Sequence, residues 1–386
     1  MAQGMRVIAI ATLFPDSTRP GFGGFVERSM IRLAAVPGIA LTVIAPCGVP
    51  PWPLGLHPRY RARRALPLSE VWKGVDVRRP RFALLPGVGW RANAALIARA
   101  ALPYARGADV IHAEFFFPDG VAATRLGARL GVPVSIKARG SDIHLWGAKP
   151  AVRRAMLGAA GQARGMLTVS ESLRGDMIAM GMSAEKIAVH YTGVDLDVFS
   201  PVDRVATRAA MGLPAPLVVS VGNLIALKGH DVVIRAVASL PGVHLRIVGH
   251  GPERGTLEGL ISALRAGDRI ALTGPLPHAE VARLLAAADV MSLASEREGL
   301  ANAWVEAIAC GTPVVATDVG GAAEVIDRPA AGRSAVRNPG AFAAAIGALL
   351  AAAPDPEATR AGVERFDWGR HTAQLVAHLE RCAGAR

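Results

Sequence analysis

The sequence predicts an α/β protein of two halves, each alternating short apolar strands with helices. Three observations carry this. At 386 residues the chain is long for one hydrophobic core and comfortable for two. Apolar strand, glycine-bearing or polar turn, and helix follow one another repeatedly from residue 5 onward. The alternation then starts afresh at residue 217, after residues 200–216, where proline and glycine become dense and the pattern reads as a linker. No shorter internal repeat is present.

Residues 5–13 read as the first strand, followed by a glycine-bearing loop over 15–24 and an amphipathic helix over 25–35. A strand, a glycine loop and a helix together bring backbone amides close to a phosphate, though this loop lacks a Gly-x-Gly-x-x-Gly pattern. Residues 41–45 continue the sheet. Residues 109–120 read as a short apolar strand ending in polar residues, then a loop into a helix over 121–130. Ligands gather at the carboxyl ends of parallel strands, so His112 and Glu114 are candidates to face a cleft. The competing reading of His112 is a satisfied core histidine. Residues 132–137 make another strand, followed by Ala-Arg139-Gly-Ser-Asp142. Residues 165–169 form the next strand, and Ser170 is placed to cap the helix after it.

In the second half, the strand over 217–221 runs into Gly222-Asn223-Leu-Ile-Ala-Leu-Lys228-Gly229 and a helix from about His230. Lys228, just before a helix N-terminus, is placed to bridge phosphate oxygens. Residues 244–248 lead to the turn Gly249-His-Gly251-Pro, and residues 269–276 to a turn at Leu276. The centre of the half is residues 295–318. It reads as strand end, loop with Glu296, Glu298 and Gly299, then Asn302 as N-cap of a helix over 303–310. Gly311 and Pro313 terminate that helix, and a buried strand follows over 314–316. A loop and helix N-terminus of this kind can hold an anion while two carboxylates accept hydrogen bonds from hydroxyls. A nucleoside diphosphate sugar offers that combination, a diphosphate between two polyols. The alternative is a solvated loop acid at Glu298 and a helix-dipole partner at Glu306.

Glu298-Gly299 with Glu306 eight positions on, followed by Ala309-Cys-Gly-Thr-Pro-Val-Val-Ala-Thr-Asp318, resembles the Glu-x7-Glu motif of retaining glycosyltransferases of family 4. The resemblance extends over nearly the whole chain and implies the GT-B fold: two Rossmann-like doubly wound domains facing a cleft, with a C-terminal helix crossing back. The implied division is an acceptor-binding domain over 1–199, a nucleotide-sugar domain over 200–365, and a helix over 366–386 packing on the first domain. The implied catalytic residues are Glu298, Lys228, His112 and Glu114. The donor would meet Gly23, Gly24, Asn223, Gly251, Leu276, Leu300, Ala301, Asn302 and Glu306, with Glu298 on sugar hydroxyls and Glu306 on the ribose. Arg139 and Asp142 would line the acceptor side. The chain departs from the family pattern in four places: Glu114 and Arg139 each stand where His is usual, Thr192 where Asn is usual, and Asn223 where Arg is usual.

Composition adds a location. The formal net charge is +12. Between residues 50 and 106, eleven Arg or Lys face Glu70 and Asp76 alone, a balance of 11 minus 2, or +9. Trp52, Tyr60, Trp72, Phe82 and Trp90 are interleaved. That mixture suits an anionic membrane surface. No nucleic-acid-binding motif accompanies it, and a solvated Arg-rich face is the plain alternative. Cys47, Cys310 and Cys382 make neither a disulfide framework nor a metal site. The apolar N-terminal run lacks a small-residue cleavage site, and no apolar run reaches the ~18 residues of a spanning helix. The expectation is a cytoplasmic enzyme, peripheral at the inner face of the membrane, with no cofactor and no metal. It would move a hexose from a nucleoside diphosphate sugar to a hydroxyl, with retention. The acceptor would be a polyprenyl-diphosphate-linked saccharide of bacterial surface or exopolysaccharide assembly. The rivals are a GT-B sugar-nucleotide 2-epimerase and a non-catalytic nucleotide-sugar- or lipid-binding protein.

Overall fold

The structure, a computed structural model, describes residues 4–84 and 89–384. Residues 85–88 and the Arg59 side chain, both within the basic segment, lie outside the described residues. The chain divides into two compact units, Met1–Tyr191 with His371–Arg386, and Thr192–Arg370.

Unit 1 carries β1 (Met5–Ile10), β2 (Ile39–Ile44), β3 (Cys47–Val49), β4 (Ser69–Trp72), β5 (Val75–Arg78), β6 (Arg81–Ala83), β7 (Val110–Ala113), β8 (Val134–Ala138), β9 (Gly165–Thr168) and β10 (Ile187–Val189). Eight of these form one sheet in the order β10-β9-β8-β7-β1-β2-β5-β4, parallel except for β4 against β5. β3 and β6 pair separately. The central strands β7, β8 and β9 are buried at every residue, as helices covering both faces of a parallel sheet require. The helix Trp368–Gly384 supplies part of that cover. Its Leu375, Leu379 and Cys382, spaced to share one helical stripe, are buried in the same cluster as Val7, Leu33 and Val43.

Unit 2 carries β11 (Leu217–Val221), β12 (His244–Val248), β13 (Ile270–Gly274), β14 (Val290–Leu293), β15 (Val314–Ala316) and β16 (Gly332–Ser334), all parallel in the order β13-β12-β11-β14-β15-β16. Its core joins Val218, Leu245 and Val290 of the sheet to Val233, Val237, Phe342 and Ile346 of the covering helices.

The stretch read as a linker is structured. Residues 204–211 form the helix Arg204–Met211, capped by Asp203, whose Oδ1 accepts from Ala206 N at 2.9 Å. Arg208 ties that helix to unit 2, pairing with Asp289 at 2.7 Å and donating to the Ala287 carbonyl at 2.7 Å. The prolines and glycines that marked the segment flank the helix and do not interrupt it. Residues 192–199, grouped above with the first half, pack in unit 2: Val194 N donates to Phe366 O, and Arg360 to Phe199 O, each at 2.7 Å. Ser170 does cap the helix Glu171–Met180, its Oγ accepting from Leu173 N at 3.1 Å. Among the described residues no helix is long and apolar enough to cross a membrane.

Candidate functional site

In an open parallel sheet, ligands bind where neighbouring strands send their connections in opposite directions. In unit 2 that point lies between β11 and β14: the chain leaves β11 toward β12 on one side and β14 toward β15 on the other. The loop after β11 carries Lys228 and the loop after β14 carries Glu298. Parallel pairing brings these residues, 70 positions apart, into an ion pair. Glu298 Oε1 also accepts from the buried Ser295 hydroxyl at 2.7 Å. Gly229 makes the approach possible. Its φ is +65°, and a Cβ there would lie 2.1 Å from the Ala294 carbonyl oxygen at the end of β14.

The helix Asn302–Ala309 begins one residue earlier than the sequence indicated. Ala301, extended, is the N-cap, and Asn302 is the first helical residue, so its carboxamide does not cap. The first-turn amides therefore lack a side-chain acceptor, which leaves a site of partial positive charge for an anion. Leu300 and Ala301 are buried beside it. Glu306 lies in the second turn of the helix, mostly buried, 3.4 Å from His278 Nε2, and His278 packs edge-on against Phe199. The two glutamates thus keep separate partners. Asn223 is exposed at the end of β11, and its carbonyl accepts from Ile225 N at 2.9 Å. Gly251 lies against the Leu224 backbone, and Leu276 sits half-buried in the turn after β13. Arg337, which no sequence signal marked, donates from Nε to Ala294 O at 2.8 Å and from Nη2 to Ala226 O at 3.0 Å. It ties the Lys228 turn to the end of β14.

In unit 1 the corresponding switch lies between β1 and β7. Gly23, left-handed at φ +67°, is the N-cap of the helix Gly24–Ala34, and a Cβ there would overlap the Leu13 carbonyl. Gly24 is the first residue of that helix. His112 and Glu114 are both fully buried. They belong to a continuous polar chain: His378 Nε2 meets Ser135 Oγ at 2.8 Å, Ser135 Oγ meets His112 Nδ1 at 3.0 Å, and His112 Nε2 meets Glu114 Oε1 at 3.3 Å. Arg139 closes the chain with an ion pair to Glu114 Oε2 and a 3.0 Å bond to the Glu114 carbonyl. Burial alone would raise the Glu114 carboxyl, but the Arg139 guanidinium and the His112 bond hold it well below the usual carboxylate range. The structure thus joins His112, Glu114 and Arg139 in one cluster. Asp142 is also fully buried, and both its oxygens accept backbone N–H groups, from Phe116 at 2.8 Å and from Arg139 at 3.0 Å and Gly140 at 2.9 Å. Burial raises its carboxyl, and those amides oppose the rise.

Beyond Ser135 and His378, sequence reasoning also missed Lys137, the His190–His371 pair and Asp119. Lys137 is fully buried and meets His190 Nδ1 at 2.9 Å, and burial pushes its ammonium well below the usual range. His190 and His371 stack with ring centroids 4.0 Å apart, and burial lowers His371 to about 3. Asp119, after the Phe-Phe-Phe-Pro run, is wholly buried; its Oδ2 accepts from Thr12 N at 2.9 Å, and Oδ1 has no partner. Burial raises it to about 7 against the pull of the Thr12 amide. Only its place in the connection that follows β7 could have singled it out.

Residues 208–363 match the family Glycosyl transferases group 1, and residues 28–198 match Glycosyltransferase Family 4. A putative teichuronic acid biosynthesis glycosyltransferase of Bacillus subtilis is 31% identical over 340 residues, 84% of each chain. A D-inositol 3-phosphate glycosyltransferase of Mycobacterium tuberculosis is 36% identical over 219 residues, which cover 53% of this chain and 45% of that one. Among solved structures, sucrose-phosphate synthase of Thermosynechococcus elongatus superposes with a TM-score of 0.79 at 22% identity, over 99% of this chain and 100% of that one. Anabaena HepE in complex with UDP-glucose gives 0.74 at 19% identity, over 97% and 99%. At those identities the structural likeness speaks for the fold.

Proposed function

The chain belongs to glycosyltransferase family 4, with the GT-B fold, and from that premise we propose that it transfers a hexose from a nucleoside diphosphate sugar to a hydroxyl with retention of configuration. The observation that carries the reading is the Lys228–Glu298 pair at the unit 2 switch point, beside the uncapped first turn of the helix Asn302–Ala309. The difficult event is departure of a diphosphate from an oxocarbenium-like centre. Lys228 and the first-turn amides would stabilise the charge developing on the leaving oxygens, in place of a metal ion. Glu298 would accept sugar hydroxyls and Glu306 ribose hydroxyls. As the bond from C1 to the diphosphate oxygen breaks, the acceptor oxygen bonds C1 on the same face, and its proton passes to the departing phosphate.

For the acceptor we propose a polyprenyl-diphosphate-linked saccharide used in bacterial surface polysaccharide assembly, at the cytoplasmic face of the membrane. In support, Trp52 is 81% exposed and Leu54 and Leu56 each 54%, followed by exposed Arg61 and Arg64 on the helix Pro58–Ala65. Apolar and basic groups together suit an anionic bilayer. The named similarity to a teichuronic acid glycosyltransferase agrees with that setting.

A panel of UDP-, GDP- and ADP-sugars tests the reading, with UDP-glucose first because solved neighbours hold it. Release of nucleoside diphosphate with a new glycoside supports transfer. An altered nucleotide sugar formed without acceptor would indicate a 2-epimerase, and binding with no product a non-catalytic protein.

A further inference from the structure

A cavity of about 190 Å³ in unit 1 opens beside the switch point, past the carboxyl ends of β1 and β2. Its wall carries Arg19, Arg63 and Arg79 against a single carboxylate, Asp16. Both nearby acids are already engaged: Asp16 by Arg19 at 2.7 Å and by Thr18, and Glu70 by Arg79 at 2.6 Å. Arg81, close by, donates to the backbone carbonyls of Arg79, Arg64 and Leu66. Four guanidinium groups against two carboxylates leave an excess of +2 around a concave, partly buried space, where a positive potential is focused. The same wall holds Asn93, on the helix Trp90–Ala101, whose buried Oδ1 has no hydrogen-bond partner. An amide oxygen without a donor is an acceptor waiting for a hydroxyl. Phe14, Phe82 and Ile97 supply the apolar remainder.

We propose that this cavity binds a phosphate-bearing sugar or polyol, its phosphate among Arg19, Arg63 and Arg79 and one hydroxyl donating to Asn93 Oδ1, and that this molecule is the acceptor headgroup. Guanidinium groups favour phosphate through paired N–H donors. The volume lies below the roughly 300 Å³ at which drug-sized pockets begin, so it suits one monosaccharide-sized group. Calling the molecule an acceptor rests on the transferase reading above; its binding does not.

Cys47, in the cavity wall and 8% exposed, allows a test independent of turnover. The full chain is treated with a sulfonate-bearing and, separately, a trimethylammonium-bearing methanethiosulfonate, and labelling is read at Cys47 by peptide mapping. With each rate divided by that reagent's rate on a free thiol, the anionic reagent reacts about tenfold faster, and Arg63→Gln lowers that ratio severalfold. Glucose 1-phosphate slows the labelling, while glucose at the same concentration leaves it unchanged. A farnesyl-diphosphate-linked glucose is the second arm: protection by it alone assigns the phosphate to a lipid-linked acceptor, and protection by glucose 1-phosphate to a free phosphate ester. Equal rates for the two reagents, with protection by neither ligand, overturn the proposal. Should Arg63→Gln fail to fold, the protection experiment on the unaltered chain decides. Protection without turnover of any sugar nucleotide would retire the transferase reading and keep the site. Turnover without protection would retire the site alone.

Discussion

Lys228 and Glu298 satisfy each other across the ends of β11 and β14, so the cation proposed for the leaving diphosphate is neutralised by the acid proposed for the sugar. In the proposed reaction a bound donor would loosen this pair, drawing the ammonium onto phosphate and the carboxylate onto hydroxyls. Glu298→Gln is therefore expected to bind UDP at least as tightly as the unaltered chain while transfer falls about 100-fold or more. Lys228→Met is expected to weaken both. Calorimetric titration with UDP, set beside steady-state transfer rates, separates the two. Equal loss of UDP affinity in both variants would contradict the shared-cation account.

Gly229 holds the Lys228 turn against β14 in a left-handed conformation with no room for a side chain. Gly229→Ala is expected to destabilise unit 2 by at least about 2 kcal/mol and to displace Lys228. Urea unfolding and UDP affinity check the two effects together.

Arg139 and Glu114 are an ion pair in the interior of unit 1. Removing one partner leaves a buried charge uncompensated, so Arg139→Met is expected to destabilise by about 3–5 kcal/mol at neutral pH. Adding Glu114→Gln to Arg139→Met should recover much of that loss, because no orphaned charge remains. Denaturant melts of the two single variants and the double variant form the cycle that measures it.

Asp119 gives a dependence on pH with a definite sign. Its folded-state value, about 7, lies above the ordinary aspartate value of 3.8, so the folded form holds the proton more tightly. Its contribution to stability is full below the unfolded value and is lost as pH rises from about 4 to about 7, on the order of 4 kcal/mol in total. Asp119→Asn, which cannot ionise, is expected to be more stable than the unaltered chain at pH 8 and to lose that advantage at pH 4. Parallel melting curves across this range would show a constant difference if Asp119 stayed ionised throughout.

What the sequence made legible follows from local patterning. Glu114, Lys228 and Glu298 stand out in the sequence because each follows an apolar strand, and His112 because it lies near the carboxyl end of one, where a parallel topology gathers functional groups. Parts built from distant segments left no local trace. Ser135 meets His378 across 243 positions, and Arg337 grips Ala226 and Ala294 from an otherwise ordinary loop. The arginine-rich segment was read as a single surface, yet Arg79 is buried against Glu70 and Pro15, and Arg81 serves backbone carbonyls. Charge counts do not distinguish a solvated guanidinium from an interior one. Residues 204–211 were missed because the prolines and glycines at both ends dominated the pattern.

The stripe Leu375, Leu379 and Cys382 also orders events during synthesis. These residues leave the ribosome only after all of Thr192–Arg370, so unit 2 can mature first although β1 is made long before it. Until then the nascent first unit presents the apolar ground of Val7, Leu33 and Val43 without its last covering layer, and is open to chaperones. Completion of unit 1 therefore waits for a segment made after the whole of unit 2, whatever the speed of the earlier steps.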